Sequence, residues 1–146
     1  MSGCAGDVAS KKLFKENEAA LRKRFAKPFV KLLEALPDDE AAVPDEAKFS
    51  EVCLKMTDGL YKALWDLGEI VGLGLEVEHK LIPIKQETVE VCELLEVNPY
   101  EIKSSGVIYV LPEGELPIEG TLIGRTRPDN DRVVLMKNGI RYLNKN

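Results

Sequence analysis

Three features of the sequence predict an α+β fold, an α/β sandwich built on a mixed sheet. Apolar residues recur at helical spacing through most of the first hundred positions, and strand-length apolar runs take over in the last forty. One alternating segment, Leu75 to Leu81, interrupts the helical part with the period of a half-buried strand. A chain of 146 residues has room for one domain and one core. Helices and strands must therefore pack as layers of the same unit.

The elements follow in order. Residues 1–10 are small and polar, with Gly3 and Gly6, and read as a tail or linker, so that the domain proper is 11–146. From Lys11 to Phe25 the residues Leu13, Phe14, Asn17, Ala20, Leu21 and Phe25 share one helical side. Pro28 opens a second helix carrying Phe29, Leu32, Leu33 and Leu36, which Pro37 stops. A third runs from Pro44 to about Val52. Leu60, Ala63, Leu64, Leu67, Ile70 and Val71 mark a strongly amphipathic helix ending near Gly72. After the alternating strand, Gln86 to Leu95 is helical again, with Val89, Cys92 and Leu94 or Leu95 inward. Gly106 to Leu111 is a continuous apolar run, the pattern of a central strand. Thr121–Thr126 and Arg132–Met136 flank an Asp129-Asn130 turn. Asn138-Gly139 predicts a type I′ hairpin joining Leu135-Met136 to Arg141-Tyr142.

Composition narrows the function classes. Hydrophobic content of 45% and charged content of 31% belong to a globular protein, and the net charge of −5 argues against nucleic-acid binding. The basic run Arg22-Lys23-Arg24 follows Glu16 and Glu18 and reads as a solvated helix face. No apolar run reaches the ~20 residues of a membrane span, and no secretory signal opens the chain. Cys4, Cys53 and Cys92 are too scattered for a disulfide framework, which places the chain in the cytoplasm with reduced thiols. Cys53 and Cys92 read as small core residues. A single histidine, His79, makes a zinc or iron site improbable, and it lies on the apolar phase of its strand without triad partners.

Two motifs carry candidate chemistry. Thr57-Asp58-Gly59 runs directly into the Leu60 helix. Its side chains could cap that helix, or the helix N-terminus could hold a phosphate or carboxylate. The charge of Asp58 would repel an anion unless a metal ion or hydroxyl intervenes. Ser104-Ser105-Gly106 leads into the apolar strand. It could bind ligand oxygens or satisfy its own backbone in a tight turn. Gly72-Leu73-Gly74 lacks the third glycine and following helix of a dinucleotide motif, and no phosphate-loop lysine exists. Trp65 reads as a core or interface anchor.

The stretch from Met56-Thr57-Asp58-Gly59 through Ala63-Leu64-Trp65-Asp66-Leu67 resembles the aminoimidazole ribonucleotide (AIR) synthase-related, PurM-like superfamily. Gly72–Val77, Ile82-Pro83-Ile84, Cys92–Leu95 with Asn98-Pro99-Tyr100, Ser104–Gly106, Asn130–Leu135 and Arg141-Tyr142-Leu143 follow in family order. The match is closest to the hydrogenase maturation factor branch and covers roughly Ala19 to Leu143. The resemblance implies a PurM C-terminal domain-like fold with N-terminal helices and C-terminal β-hairpins. It also implies an ATP-dependent family whose N-terminal domain supplies most of the ATP and Mg²⁺ ligands. This chain corresponds to the C-terminal, cleft-closing domain, with no catalytic or metal-ligating residue and no cofactor of its own. The ligand-contacting residues implied are Thr57, Asp58, Gly59, Ser104, Ser105 and Gly106. The partners implied are a second copy in a homodimer or an ATP-binding N-terminal half, together with a phosphorylated small molecule.

Departures from the family pattern bear on activity. Cys53-Leu54-Lys55 stands where relatives carry His-Asp, and Leu60 replaces the second glycine of their turn, which restricts close approach of a ligand. Relatives carry a helix between the positions of Val110 and Leu122; the segment Pro112–Ile118 is too short and proline-rich to form it. The cysteine-ended tail that the hydrogenase dehydratase modifies is not found after Tyr142, so that reaction is not expected. The reading is a domain inactive alone. Its alternatives are a stand-alone interaction module on the same fold and a nucleotide sensor without turnover.

Overall fold

The computed structural model describes residues 1–48, 50–114 and 119–145. Its helices are α1 (Asp7–Glu16), α2 (Glu18–Arg24), α3 (Lys27–Glu34), α4 (Asp45–Lys48), α5 (Leu60–Val71) and α6 (Gln86–Leu94). The strands are β1 (Cys53–Lys55), β2 (Gly74–Glu78), β3 (Val107–Tyr109), β4 (Gly124–Arg127), β5 (Arg132–Met136) and β6 (Gly139–Tyr142). Four strands form a mixed sheet in the order β4-β2-β5-β6, with β2 and β5 parallel and the other neighbours antiparallel. The expected α+β architecture with a mixed sheet is the one found. Among the described residues no helix is long and apolar enough to cross a membrane.

Helix α5 is the centre of the packing. Its buried face of Leu60, Ala63, Leu64 and Leu67 joins Leu75, Val77 and Val134 of the sheet and Ile108 of β3 in one apolar cluster. Gly72, at φ 70°, ends it in the left-handed conformation expected of a glycine stop. A second cluster forms where α1, α2 and α3 meet α6, built on Phe14, Leu21, Val30, Leu33, Leu36 and Val91. The α6 face turned inward is Glu87, Thr88, Val91 and Cys92, whereas Val89 is only partly buried.

Several expectations are corrected. Residues 1–10 are no tail. Met1, Ala5, Asp7, Val8 and Ser10 are buried, and α1 begins at Asp7, because backbone bonds tie Ser2 to Val107 (2.9 Å) and Ala5 to Pro83 (2.8 Å). The single helix over 11–25 is two, broken at Asn17, whose side-chain amide donates to the Leu13 carbonyl at 2.9 Å and closes α1. The helix at 44–52 shrinks to α4, and Cys53 lies exposed in β1. His79 leaves the strand and sits in a 3₁₀ turn, His79–Leu81. The apolar run at Gly106–Leu111 does not make a central strand; among the described residues β3 pairs only with β1, and Val107 and Ile108 are buried all the same. The β5–β6 hairpin forms with Met136 opposite Gly139, so the loop is Lys137-Asn138. Neither loop residue has positive φ, and the turn is not type I′. The expected lack of a helix over Pro112–Ile118 falls mainly on residues 115–118, outside the described residues.

Candidate functional site

The two motifs singled out by sequence meet in space. The Met56 carbonyl accepts from the Gly59 N–H and from the Ser104 N–H, each at 3.1 Å, which joins the two turns at the start of α5. Gly59 is required there. Its backbone lies at φ 95° and ψ 170°, a region reserved for glycine, and a β-carbon would sit 2.5 Å from the Glu101 carbonyl carbon. Thr57 and Asp58 do not cap the helix. Gly59 occupies the N-cap position, and among the described residues no side-chain cap bond closes the first turn.

Thr57 and Asp58 are exposed. The Thr57 hydroxyl donates to Glu40 Oε1 at 3.3 Å, and Lys55 holds the other Glu40 oxygen at 3.0 Å. That ammonium keeps the Glu40 carboxyl below the usual carboxylate range, as Lys103 does for Asp39. The exposed rim of the turn is thus a small set of paired charges.

The second motif is built inward. Ser104 and Ser105 are 0% and 4% exposed. Ser104 Oγ accepts from the Gly6 N–H at 2.7 Å. The Asp7 carboxylate accepts from the Ser105 N–H at 2.8 Å and from the Ser105 hydroxyl at 2.6 Å, while Asp7 Oδ1 also takes the Val8 N–H at 2.8 Å. Gly106 has no room for a side chain, since a β-carbon would meet the Ser2 carbonyl oxygen at 2.0 Å. The hydroxyls read as ligand contacts are engaged by the first seven residues of the chain itself.

A group not anticipated from sequence flanks the turn. Arg141 lies over the Tyr61 ring at 4.8 Å, Tyr61 stacks on Tyr100 at 5.5 Å, and His79 meets the Tyr100 ring edgewise at 4.9 Å. Tyr100 Oη and His79 Nε2 are 3.4 Å apart, so His79 is a partly buried, hydrogen-bonded histidine. Burial pushes both tyrosine hydroxyls up in pKa. Glu101 pairs with Arg141 at 3.1 Å. These residues come from α5, β6 and two 3₁₀ turns, and no sequence period connects them. Trp65 packs against the core with the Arg132 guanidinium 4.3 Å from its ring, an anchor as expected.

Among the described residues no three His, Cys, Asp or Glu side chains are grouped to hold a metal ion. Two open depressions, of about 480 and 430 Å³, are lined by residues of α1, α2, α3 and α6 and the Phe25 and Glu96 positions, away from all six motif residues.

Comparison with known proteins adds the fold. The chain superimposes on the hydrogenase maturation protein HypE of E. coli with a TM-score of 0.67, at 18% identity, over 99% of this chain and 48% of that one. The fold is PurM-like. Thiamine monophosphate kinase from Aquifex aeolicus matches with a TM-score of 0.62, 20% identity, 94% of this chain and 49% of that one. A HypE structure in complex with ATP matches with a TM-score of 0.56, 19% identity, and 65% and 35% coverage. No protein-family model and no curated protein sequence matches the chain. The chain spans half or less of the length of these structures.

Proposed function

We propose that this PurM-like chain is the ligand-contacting C-terminal domain of an AIR synthase-related protein and acts only with an ATP-binding half. The observation that carries the reading is the uncapped start of α5, a glycine N-cap beside the exposed Thr57 and Asp58. First-turn N–H groups and the helix dipole favour an anionic group there, and a phosphorylated small molecule has that chemistry. Coverage supports the reading: nearly all of this chain matches about half of HypE and of thiamine monophosphate kinase. In this reading ATP and Mg²⁺ come with the ATP-binding half: the Ser104 and Ser105 hydroxyls are engaged by Gly6 and Asp7, and among the described residues no acidic cluster stands beside Asp58. In this reading Ser104, Ser105 and Gly106 hold the turn in place, and Thr57, Asp58 and Gly59 present it.

The test is Mg²⁺-dependent ATP hydrolysis by the chain alone and mixed with an ATP-binding half. Turnover is expected only in the mixture, reduced by Thr57→Ala and Asp58→Ala. Hydrolysis by the chain alone that disappears in Asp58→Ala would overturn the reading. The internal use of the two serine hydroxyls favours a second reading, an interaction module without ligand chemistry. A thermal-shift series with nucleotides and phosphorylated metabolites separates the two, since a ligand of the native state raises the midpoint.

A further inference from the structure

The connection between α3 and α4, residues 35–44, runs past both motifs as a charged strap. It is anchored at two points. Leu36 is buried in the helical cluster, and the Ala41 N–H donates to the Ser105 carbonyl at 2.7 Å. Between the anchors stand Asp38, Asp39 and Glu40. Asp38 turns to α1, where Lys11 lies at 2.8 Å and Lys15 at 3.4 Å. Asp39 and Glu40 turn to the motifs instead. Lys103, which precedes the serine turn, holds Asp39 Oδ1 at 2.9 Å. Lys55, at the end of β1, holds Glu40 Oε2 at 3.0 Å, and the Thr57 hydroxyl donates to Glu40 Oε1 at 3.3 Å. Each of these carboxylates also feels the other's lysine, so the two ammoniums and the hydroxyl act as one cradle. The Asp39 side chain is 77% exposed and the Lys55 side chain 63%, and exposed ion pairs contribute little to stability.

We propose that the strap is an internal anion, and that Lys55, Lys103 and Thr57 receive a phosphoryl group when it displaces Asp39 and Glu40 from them. The inference rests on the reading above, in which a phosphorylated molecule approaches the start of α5. It adds which side chains take that charge and what holds them until the ligand arrives. A chain of net charge −5 repels a phosphate at long range, so binding needs local positive charge. Lys55 and Lys103 supply it beside the first turn of α5, where the N–H groups and the helix dipole have the same sign. With Glu40 in place the Thr57 hydroxyl and the Lys55 ammonium are engaged, and an entering anion meets like charge. A phosphoryl group carries more charge and more acceptor oxygens than a single carboxylate, so it wins the competition for these donors. The exchange breaks only surface pairs. The Leu36 and Ala41 anchors keep the strap beside the cradle, ready to return when the ligand leaves.

Titration of the ¹⁵N-labelled full chain with inorganic pyrophosphate at fixed ionic strength, followed by amide chemical shifts, reads the exchange. The Glu40, Ala41, Thr57 and Lys103 amides are expected to move together. Asp39→Asn/Glu40→Gln removes the charge of the strap and keeps its shape, and it tightens binding at least about fivefold. Lys55→Gln/Lys103→Gln weakens binding at least about tenfold in either background. Glu18→Gln/Glu34→Gln makes the same change in net charge at the Arg22 pairs of α2 and α3 and leaves the affinity unchanged. Equal affinity of the parent and Asp39→Asn/Glu40→Gln overturns the proposal. So does equal tightening in Glu18→Gln/Glu34→Gln, or the absence of any shift in every variant. Shifts confined to the first turn of α5 and indifferent to Lys55 and Lys103 overturn it as well, and leave the functional reading standing. Strap exchange as expected, with no turnover in the mixture with an ATP-binding half, overturns the functional reading alone.

Discussion

Replacing Asp7 tests whether the first residues of the chain are a structural component or an appendage. The Asp7 side chain is 2% exposed and accepts two bonds from Ser105 and one from the Val8 N–H, all between 2.6 and 2.8 Å. In Asp7→Ala the Ser105 hydroxyl and N–H lose their acceptor in a place that excludes water. Hydrogen bonds to a charged group contribute about 1.5–3 kcal/mol each. Removing a buried carboxylate relieves some desolvation, so the net loss expected is about 2–4 kcal/mol. For a chain of this size that lowers the melting midpoint by about 5–15 °C. Asp7→Asn keeps the shape and one acceptor, and its loss is smaller, about 1–2 kcal/mol. Ser105→Ala strands one carboxylate oxygen, and the double variant loses less than the sum of the singles by at least about 1 kcal/mol. Urea unfolding followed by the fluorescence of the single tryptophan, Trp65, measures all four. Asp7→Ala within about 0.5 kcal/mol of the parent, the range of ordinary surface substitutions, would refute the argument.

Two further outcomes follow from individual positions. Gly59→Ala forces a β-carbon against the Glu101–Ile102 backbone at a φ reserved for glycine, and its cost is at least about 2 kcal/mol. Gly72→Ala, also at positive φ but with nothing within 4 Å, loses only about 1 kcal/mol. Equal urea midpoints for the two would sink the steric argument. Tyr109 is expected to ionise last among the tyrosines in an ultraviolet titration. Burial and its hydrogen bond to Glu46 at 3.1 Å push its pKa up to about 12. Because the folded value lies above the unfolded one, its stabilising contribution is complete below pH ~10 and is lost as pH rises through the folded value. Glu46→Gln should bring that late transition down, and an unshifted transition would show that the carboxylate plays no part.

How far the sequence could be read depended on the range of the interaction concerned. The Leu60–Val71 helix and its Gly72 stop were legible because an amphipathic face and a left-handed glycine are local properties. The β5–β6 hairpin was legible for the same reason, although its turn lay one position earlier than Asn138-Gly139 suggested. The six motif residues fall in two turns that meet at the Met56 carbonyl, a contact made across nearly fifty positions of chain. Their division of labour was not visible. The residues that engage Ser104 and Ser105 lie 98 positions away, and Gly6 and Asp7 in a small, polar stretch carry no periodic signal.

By itself the sequence determined the α+β layer composition, the helix that anchors the core, and the glycine that stops it. These follow from side-chain periodicity and turn chemistry, which act over a few residues. Tertiary structure decided that β2 inserts between β4 and β5, that Val107-Ile108 is buried in a two-stranded pair, and that the chain's first seven residues lock the serine turn. It also decided that Ile140 and Tyr142 lie exposed on the strand that ends the described sheet. An apolar run reports that it will be buried but not what buries it. Only the packed chain says which hydroxyl finds a partner inside the domain and which strands lie at the ends of the sheet.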